Sequence, residues 1–199
     1  MIKFIDIDES IPYKKFLKFY DKALEKKQKA IEAICISSFN TDLGEVDSRY
    51  VNLKYIMNSQ WIFFTNYNSP KSIAFETHNQ VSVVIYWECI NLQIRIKANI
   101  HKSDSDFSDK HFNSRSREKN SIAITSNQSN PIQNFDEVLK NYSNIFESNK
   151  SLYRPESWGG YSFTPYYFEF WEGHSSRLNK RDVYEKKDND NWNHFLIQP

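Results

Sequence analysis

Four short segments carry side chains able to hold an anion or to act on a small molecule. Arg49-Tyr50-Val51-Asn52-Leu53-Lys54 alternates as a strand does, so Arg49, Val51 and Leu53 share one face. Lys54 closes that strand, at a rim where loops and ligands meet. Phe64-Thr65-Asn66-Tyr67-Asn68-Ser69-Pro70-Lys71 reads as a strand running into a polar loop. Its hydroxyls donate hydrogen bonds and its lysine adds a point charge, a combination suited to a phosphate monoester. Gln128-Ser129 follows another polar run, and Arg177-Leu178-Asn179-Lys180-Arg181 packs three cations into five residues. Taken singly, each has a plainer reading, because basic residues at strand ends and in turns are usually solvated. Periodicity alone does not show whether the four segments meet.

The elements that must position them follow from the hydrophobic pattern. Residues 13 to 30 read as a helix with Phe16, Tyr20, Ala23 and Leu24 on one face. Ala33 to Phe39 is a strand candidate, Asn40 to Gly44 a turn, and Ser48 to Lys54 a strand pairing back as a hairpin. Met57 to Gln60 is a second turn before Trp61 to Asn66. A short helix is expected near Ser72 to Thr77, then strands over Val81 to Trp87 and Leu92 to Ile100. Asp104 to Arg117 reads as helical with Ser103 as N-cap. Phe135, Val138, Leu139, Tyr142, Ile145 and Phe146 form a clean helical stripe, which implies core or an oligomer face. Aromatic-rich strands return at Gly160 to Phe170, Val183 to Lys187 and Trp192 to Ile197. Closely spaced strands joined by turns predict a mainly β fold with helices (α+β), an antiparallel sheet or small barrel.

Composition narrows the function classes. The 15 Phe, 12 Tyr and 5 Trp of a 199-residue chain supply bulk for a sizeable core. Only 4 Gly are present, and neither dinucleotide nor P-loop glycine motifs occur, so a phosphate site must use other donors. With 26 Lys and Arg against 25 Asp and Glu there is no global nucleic-acid signature. Cys35 and Cys89 sit in apolar runs and read as buried, reduced thiols. His78, His101, His111, His174 and His194 lack metal-ligand spacing, so no metal is expected. The acidic N-terminus does not look like a signal peptide, and no stretch approaches the ~20 apolar residues of a membrane span. A cytoplasmic location with no membrane partner is the expectation.

Taken together and in order, the segments resemble the pyridoxamine 5′-phosphate oxidase family. R-Y-V-N-L-K is similar to that family's R-x-V-L-L-K, and W-I-F-F-T-N-Y-N-S-P-K to its F-x-F-[FY]-T-N-x-x-S-R-K. The strand Q-V-S-V-V-I-Y-W, the pair Q-S, and W-G-G-Y, E-F-W-E-G and R-L-N-K-R resemble further family segments at matching spacing. The resemblance implies an FMN-binding split β-barrel over residues 1–199 as one domain, flanked by helices. It also implies a C-terminal dimerisation and substrate segment from about residue 153, and a homodimer with FMN at the subunit interface.

Carried over by motif, the resemblance implies that Arg49 and Lys71 neutralise the FMN phosphate while Thr65 donates to it. Tyr50, Val51, Asn52, Leu53, Lys54 and Phe64 would run along the flavin, with Gln93 near its ring system. Gln128, Ser129, Trp171 and Arg181 would complete the cofactor shell. Pro70 stands where the family has a phosphate-binding arginine. Lys54, His111, Arg115, Lys119, Arg177, Leu178 and Asn179 would bind a phosphorylated B6 vitamer or another small anion, with Arg177 and Asn179 at the reacting end. His111 and Lys119 replace a tyrosine and a serine of the family; Asn179 and Lys180 replace the H-D of R-L-H-D-R. The implied activity is oxidation of pyridoxamine or pyridoxine 5′-phosphate to pyridoxal 5′-phosphate by dioxygen, with hydrogen peroxide released. Two alternatives stand beside it: a flavoprotein oxidase with a different substrate, as in phenazine biosynthesis, and a non-catalytic flavin- or pyridoxal-phosphate-binding protein.

Overall fold

Long strands that bury alternate side chains dominate the chain, and one helix packs its aromatic face against them. The structure is a computed structural model that describes residues 1–187 and 191–199. In chain order the elements are β1 (Lys3–Ile5), α1 (Ile11–Glu25), β2 (Ala33–Asn40), β3 (Glu45–Asn52), β4 (Tyr55–Met57) and β5 (Gln60–Asn66). There follow α2 (Pro70–Thr77), β6 (Gln80–Trp87), β7 (Leu92–Lys102), α3 (Ser105–Asn113), α4 (Arg117–Thr125) and α5 (Phe135–Phe146). The chain ends with β8 (Trp158–Glu172), β9 (Lys180–Lys186) and β10 (Trp192–Ile197).

The described strands form one sheet in the order β1-β4-β5-β8-β7-β6-β2-β3, with β9 on β8 and β10 on β9. Every pairing is antiparallel except β1 with β4, which is parallel; β1 was not expected. Strand β8 organises the rest. Its first half pairs with β5 and its second half with β9, while β7 runs along its other edge from Tyr161 to Glu172. Opposite the Lys97–Ala98 step the register shifts, leaving Tyr166 as an extra residue beside Pro165. Proline lacks the ladder donor and a bulge bends the strand, so the change of partner falls where pairing is weakest.

Ile34, Ile36, Val83, Ile85, Ile94, Ile96, Phe168 and Phe170 are fully buried on the inner face. Helix α1 covers them with Tyr13, Phe16, Tyr20 and Ala23, and Phe16 meets Trp61 edge-on at 4.5 Å. Leu24, expected on that face, is 43% exposed, and Tyr13 takes the buried place instead. The helix stops five residues before the expected end. Lys27 turns left-handed, its N–H bonding Leu24 O and that of Gln28 reaching Ala23 O, a Schellman ending without the usual glycine.

Other boundaries also move. The hairpin strand starts at Glu45 and ends at Asn52, so Lys54 lies in the link to β4, where its N–H bonds Ile62 O. Asp104, not Ser103, caps α3 by accepting from Phe107 N, and the expected helix over 104–117 ends at Asn113 before a second, α4. Cys35 is half-buried and Cys89 exposed, and both are free thiols; neither is the buried residue expected. Among the described residues no helix is long and apolar enough to cross a membrane.

Candidate active site

Strand β3 sends Arg49 and Val51 inward beside Ile36 and Ile34, while Tyr50 and Asn52 face the other way. Arg49 is fixed there by three contacts. Its Nη1 donates to Ser38 Oγ at 2.8 Å and to Ile36 O, and its Nη2 pairs with Asp47. Asp47 lies two residues earlier on the same strand face, where alternation puts it.

Next to it, β5 delivers Thr65 and the chain turns through Asn66 to Ser69 into α2. Pro70 and Lys71 therefore lie in the first helical turn and not in a loop, as had been expected. Proline at that position loses no helical hydrogen bond, because the first N–H groups of a helix have no internal partner. Ser69 and Ser72 both donate to Asn66 O at 2.8 Å, which ties the turn down. The Lys71 amine is buried with Ser69 Oγ as its 2.8 Å partner. Burial, reinforced by Arg49 and partly offset by Asp47, pushes its pKa down to about 8. A buried amine in the first turn of a helix, with the Arg49 guanidinium acting on it, is a donor set that can take an anion without a glycine loop.

At the other end, Lys54, His111, Arg115 and Lys119 gather from the β3–β4 link, α3 and the start of α4. His111 stacks on Phe64 with ring centroids 3.7 Å apart, and its Nδ1 lies 2.9 Å from Tyr55 Oη. Arg115 lies over the Trp158 ring at 4.3 Å and donates to Lys119 O at 2.8 Å. Its Nη1 is buried and has no partner. Two glycines permit this crowding. A Cβ on Gly159 would fall 2.1 Å from Tyr67 Oη, and one on Gly160 would press on Ser103 and Phe64.

Both ends open into one cleft of about 650 Å³. Of the residues expected at the site, it brings together Arg49, Tyr50, Val51, Asn52, Lys54, Phe64, Thr65, Lys71, Gln128 and Ser129, together with His111, Arg115 and Lys119. Its lining includes five cations and a single carboxylate, Asp47, so it selects anions. Asp47, Ser48 and Trp158 were missed by sequence reasoning; the W-G-G-Y segment had marked Trp158 without giving it a role.

The remaining expected residues lie elsewhere in the chain. Leu53 is fully buried in the core, and its N–H bonds Glu32 O. Gln93 pairs with Trp171, and Trp171 with Arg181, so these three form one row across β7, β8 and β9. The buried Glu169 carboxylate accepts from Arg181, Arg95 and Tyr167 and fixes that row. Arg177, Leu178 and Asn179 belong to the exposed turn after β8, where Arg177 has a φ of 61°. Asn179 Oδ1 accepts from His174 N at 3.0 Å, and Lys180 pairs with Asp182. The side chain of Asn179 thus braces its own turn.

Fold and cleft define a class, the FMN-binding split barrel. Residues 158–199 match the model of the pyridoxine 5′-phosphate oxidase C-terminal dimerisation region. Over 187 residues the chain is 34% identical to the pyridoxine/pyridoxamine 5′-phosphate oxidase of Leptospira interrogans, covering 92% of this chain and 86% of that one. Its fold matches PhzG from Burkholderia lata, solved with tetrahydrophenazine-1-carboxylic acid, with a TM-score of 0.90 at 23% identity over 98% of this chain and 100% of that one. An FMN-binding protein from Nostoc punctiforme, related to pyridoxamine 5′-phosphate oxidase, gives a TM-score of 0.77 at 12% identity over 96% and 99%. The chain belongs to the pyridoxine/pyridoxamine 5′-phosphate oxidase family. FMN is the cofactor of that family, and the donor set around Lys71 and Arg49 fits its phosphate.

Proposed function

We propose that the protein is an FMN-dependent oxidase that converts pyridoxamine or pyridoxine 5′-phosphate to pyridoxal 5′-phosphate. The observation that carries this reading is the pairing of two anion-binding ends in one cleft. Arg49, Thr65 and Lys71 would hold the FMN phosphate, with Gln128 and Ser129 closing over it. Lys54, His111, Arg115 and Lys119 would hold the phosphate of the substrate. Held by Arg49, Thr65 and Lys71, FMN would supply the redox chemistry, hydride acceptance with dioxygen as the final oxidant and hydrogen peroxide as the by-product. The chain's own contribution is positioning: two fixed anchors set where a ligand with one phosphate can lie against the flavin.

Gln93, Trp171, Arg181 and the Arg177–Asn179 turn would act on the cleft of a second subunit. The match of residues 158–199 to a dimerisation region supports that reading. Each site would then combine a cationic half from one protomer with a Trp171–Arg181 half from its partner.

The test is to load the purified protein with FMN and follow peroxide release with each phosphorylated vitamer. Turnover of at least one supports the proposal; a flavin spectrum with turnover of neither rejects it. One observation favours a second reading, an oxidase with a different substrate. Asn179 stands where the family has histidine, and its oxygen is engaged by His174 N. On that reading Asn179→His leaves vitamer turnover unchanged; on the first it raises it.

A further inference from the structure

The substrate-phosphate end of the cleft holds a histidine among cations. His111 lies between the Phe64 ring and the Tyr55 hydroxyl, with Trp158 parallel to it at 6.3 Å. The charges that act on it are all positive: Arg115 first, then Lys54, Lys3 from β1, and Lys119 from α4. Lys3 itself lies over the Tyr55 ring at 5.5 Å. Of the groups packed on His111 from β4, β5 and β8, only Tyr55 is titratable, because the others are Phe64 and Trp158. Burial, then these cations, push the His111 pKa down to about 4.

We propose that His111 is a proton-coupled anion donor: it takes up a proton when a doubly charged oxyanion enters beside it. The inference deepens the proposed function and rests on this end being the substrate-phosphate end. Three features of geometry support it. First, Tyr55 can serve both protonation states, since its hydroxyl donates to Nδ1 of the neutral ring and accepts from the protonated one. Protonation therefore breaks no hydrogen bond. Second, no group among the described residues bonds Nε2, and His111 lines the cleft, so that nitrogen is free for a ligand. Third, Arg115 lines the same cleft as His111, so an anion entering there meets a guanidinium beside the ring.

The sign follows from electrostatics. A dianion arriving among Lys54, Arg115 and Lys119 offsets the field that keeps the ring neutral, so the charged form becomes favoured. Binding then consumes a proton, and affinity rises as pH falls. A tyrosine at position 111, as in the family pattern, has no such coupling near neutral pH.

Sulfate is the probe, because it stays doubly charged across the relevant pH range and releases no proton of its own. The FMN-loaded protein is titrated by nuclear magnetic resonance of the histidine Cε1 groups, with and without sulfate at constant ionic strength. His111→Tyr identifies the resonance among the five histidines. The expected result is an upward move of the His111 midpoint from about 4 toward neutrality when sulfate is bound. Between the free midpoint near 4 and the sulfate-bound midpoint, sulfate affinity should rise by up to about tenfold per pH unit toward acid in the wild type, and His111→Tyr should lose that component. An unmoved midpoint with sulfate bound overturns the proposal, as does a His111 already protonated at neutral pH without sulfate. If the chain takes no FMN, the flavin reading falls, and the same titration on the flavin-free protein still decides His111.

Discussion

Burial, then Arg49, brings the Lys71 pKa down to about 8. Its charged fraction therefore falls as pH rises through 8. The proposed phosphate contact needs the charged amine, so on that proposal FMN affinity should weaken between pH 8 and 10, by up to about tenfold per unit. Quenching of flavin fluorescence on binding measures it, and a flat profile would remove Lys71 from the phosphate. The neighbouring position offers the converse experiment. Pro70 lines the cleft and contributes no donor. Pro70→Arg should tighten FMN binding by about tenfold or more, the worth of one charge-assisted hydrogen bond. Unchanged affinity would mean that Arg49 and Lys71 already saturate the phosphate. Both residues were legible as chemistry in the sequence, because S-P-K departs from S-R-K at one position. The depressed charge of Lys71 was not legible, since it depends on burial by residues distant along the chain.

Helix α5 shows the same limit among the elements. Its apolar stripe was evident from spacing, yet no residue of α5 is buried, and Phe135 and Leu139 are exposed. The helix is instead held at its end by Arg117 of α4. The guanidinium donates to Ile145 O and Phe146 O, carbonyls that the helix end leaves unpaired, and to Ser148 O and Lys150 O just beyond it. Periodicity identifies a face but not such a clamp. Arg117→Ala should cost about 1–3 kcal/mol locally and speed amide exchange across α5 while sparing β7 and β8. A second clamp joins α1 to β9 and β10 through buried Asp182, which contacts Lys15, Lys180 and His194. Burial alone would raise the Asp182 pKa, but the hydrogen bonds from Lys15, Lys180 and His194 bring it down to about 2. A depressed carboxylate stabilises the fold above the ordinary aspartate range near pH 4, and that contribution is lost as pH falls toward 2. Asp182→Asn should therefore lower stability by about 3 kcal/mol at pH 7, with the gap from wild type narrowing on acidification. Thermal melts at stepped pH would read it, and a gap independent of pH would assign the loss to packing.

The whole molecule explains why the sequence motifs were easier to find than to assemble. Strand alternation and motif order located the cleft residues from Arg49 to Ser129. They gave no hint that Gln93, Trp171 and Arg181 would form a separate row on β7, β8 and β9. Chain order does not say which subunit a residue serves. If the proposed dimer joins the two halves, Lys71→Met and Arg181→Ala should each be inactive alone and complement when coexpressed. Random mixing makes half the dimers hybrid, each with one intact site in two, so about a quarter of wild-type activity should return. No recovery would place both halves in one chain.

The row fixed by Glu169 also has a consequence for handling the protein. If the proposed dimer forms, a flavin gripped by both protomers would act as a rivet, and dilution that parts them should release it. Colour retained on a desalting column would then depend on how concentrated the sample is, making the yellow of the preparation a gauge of assembly.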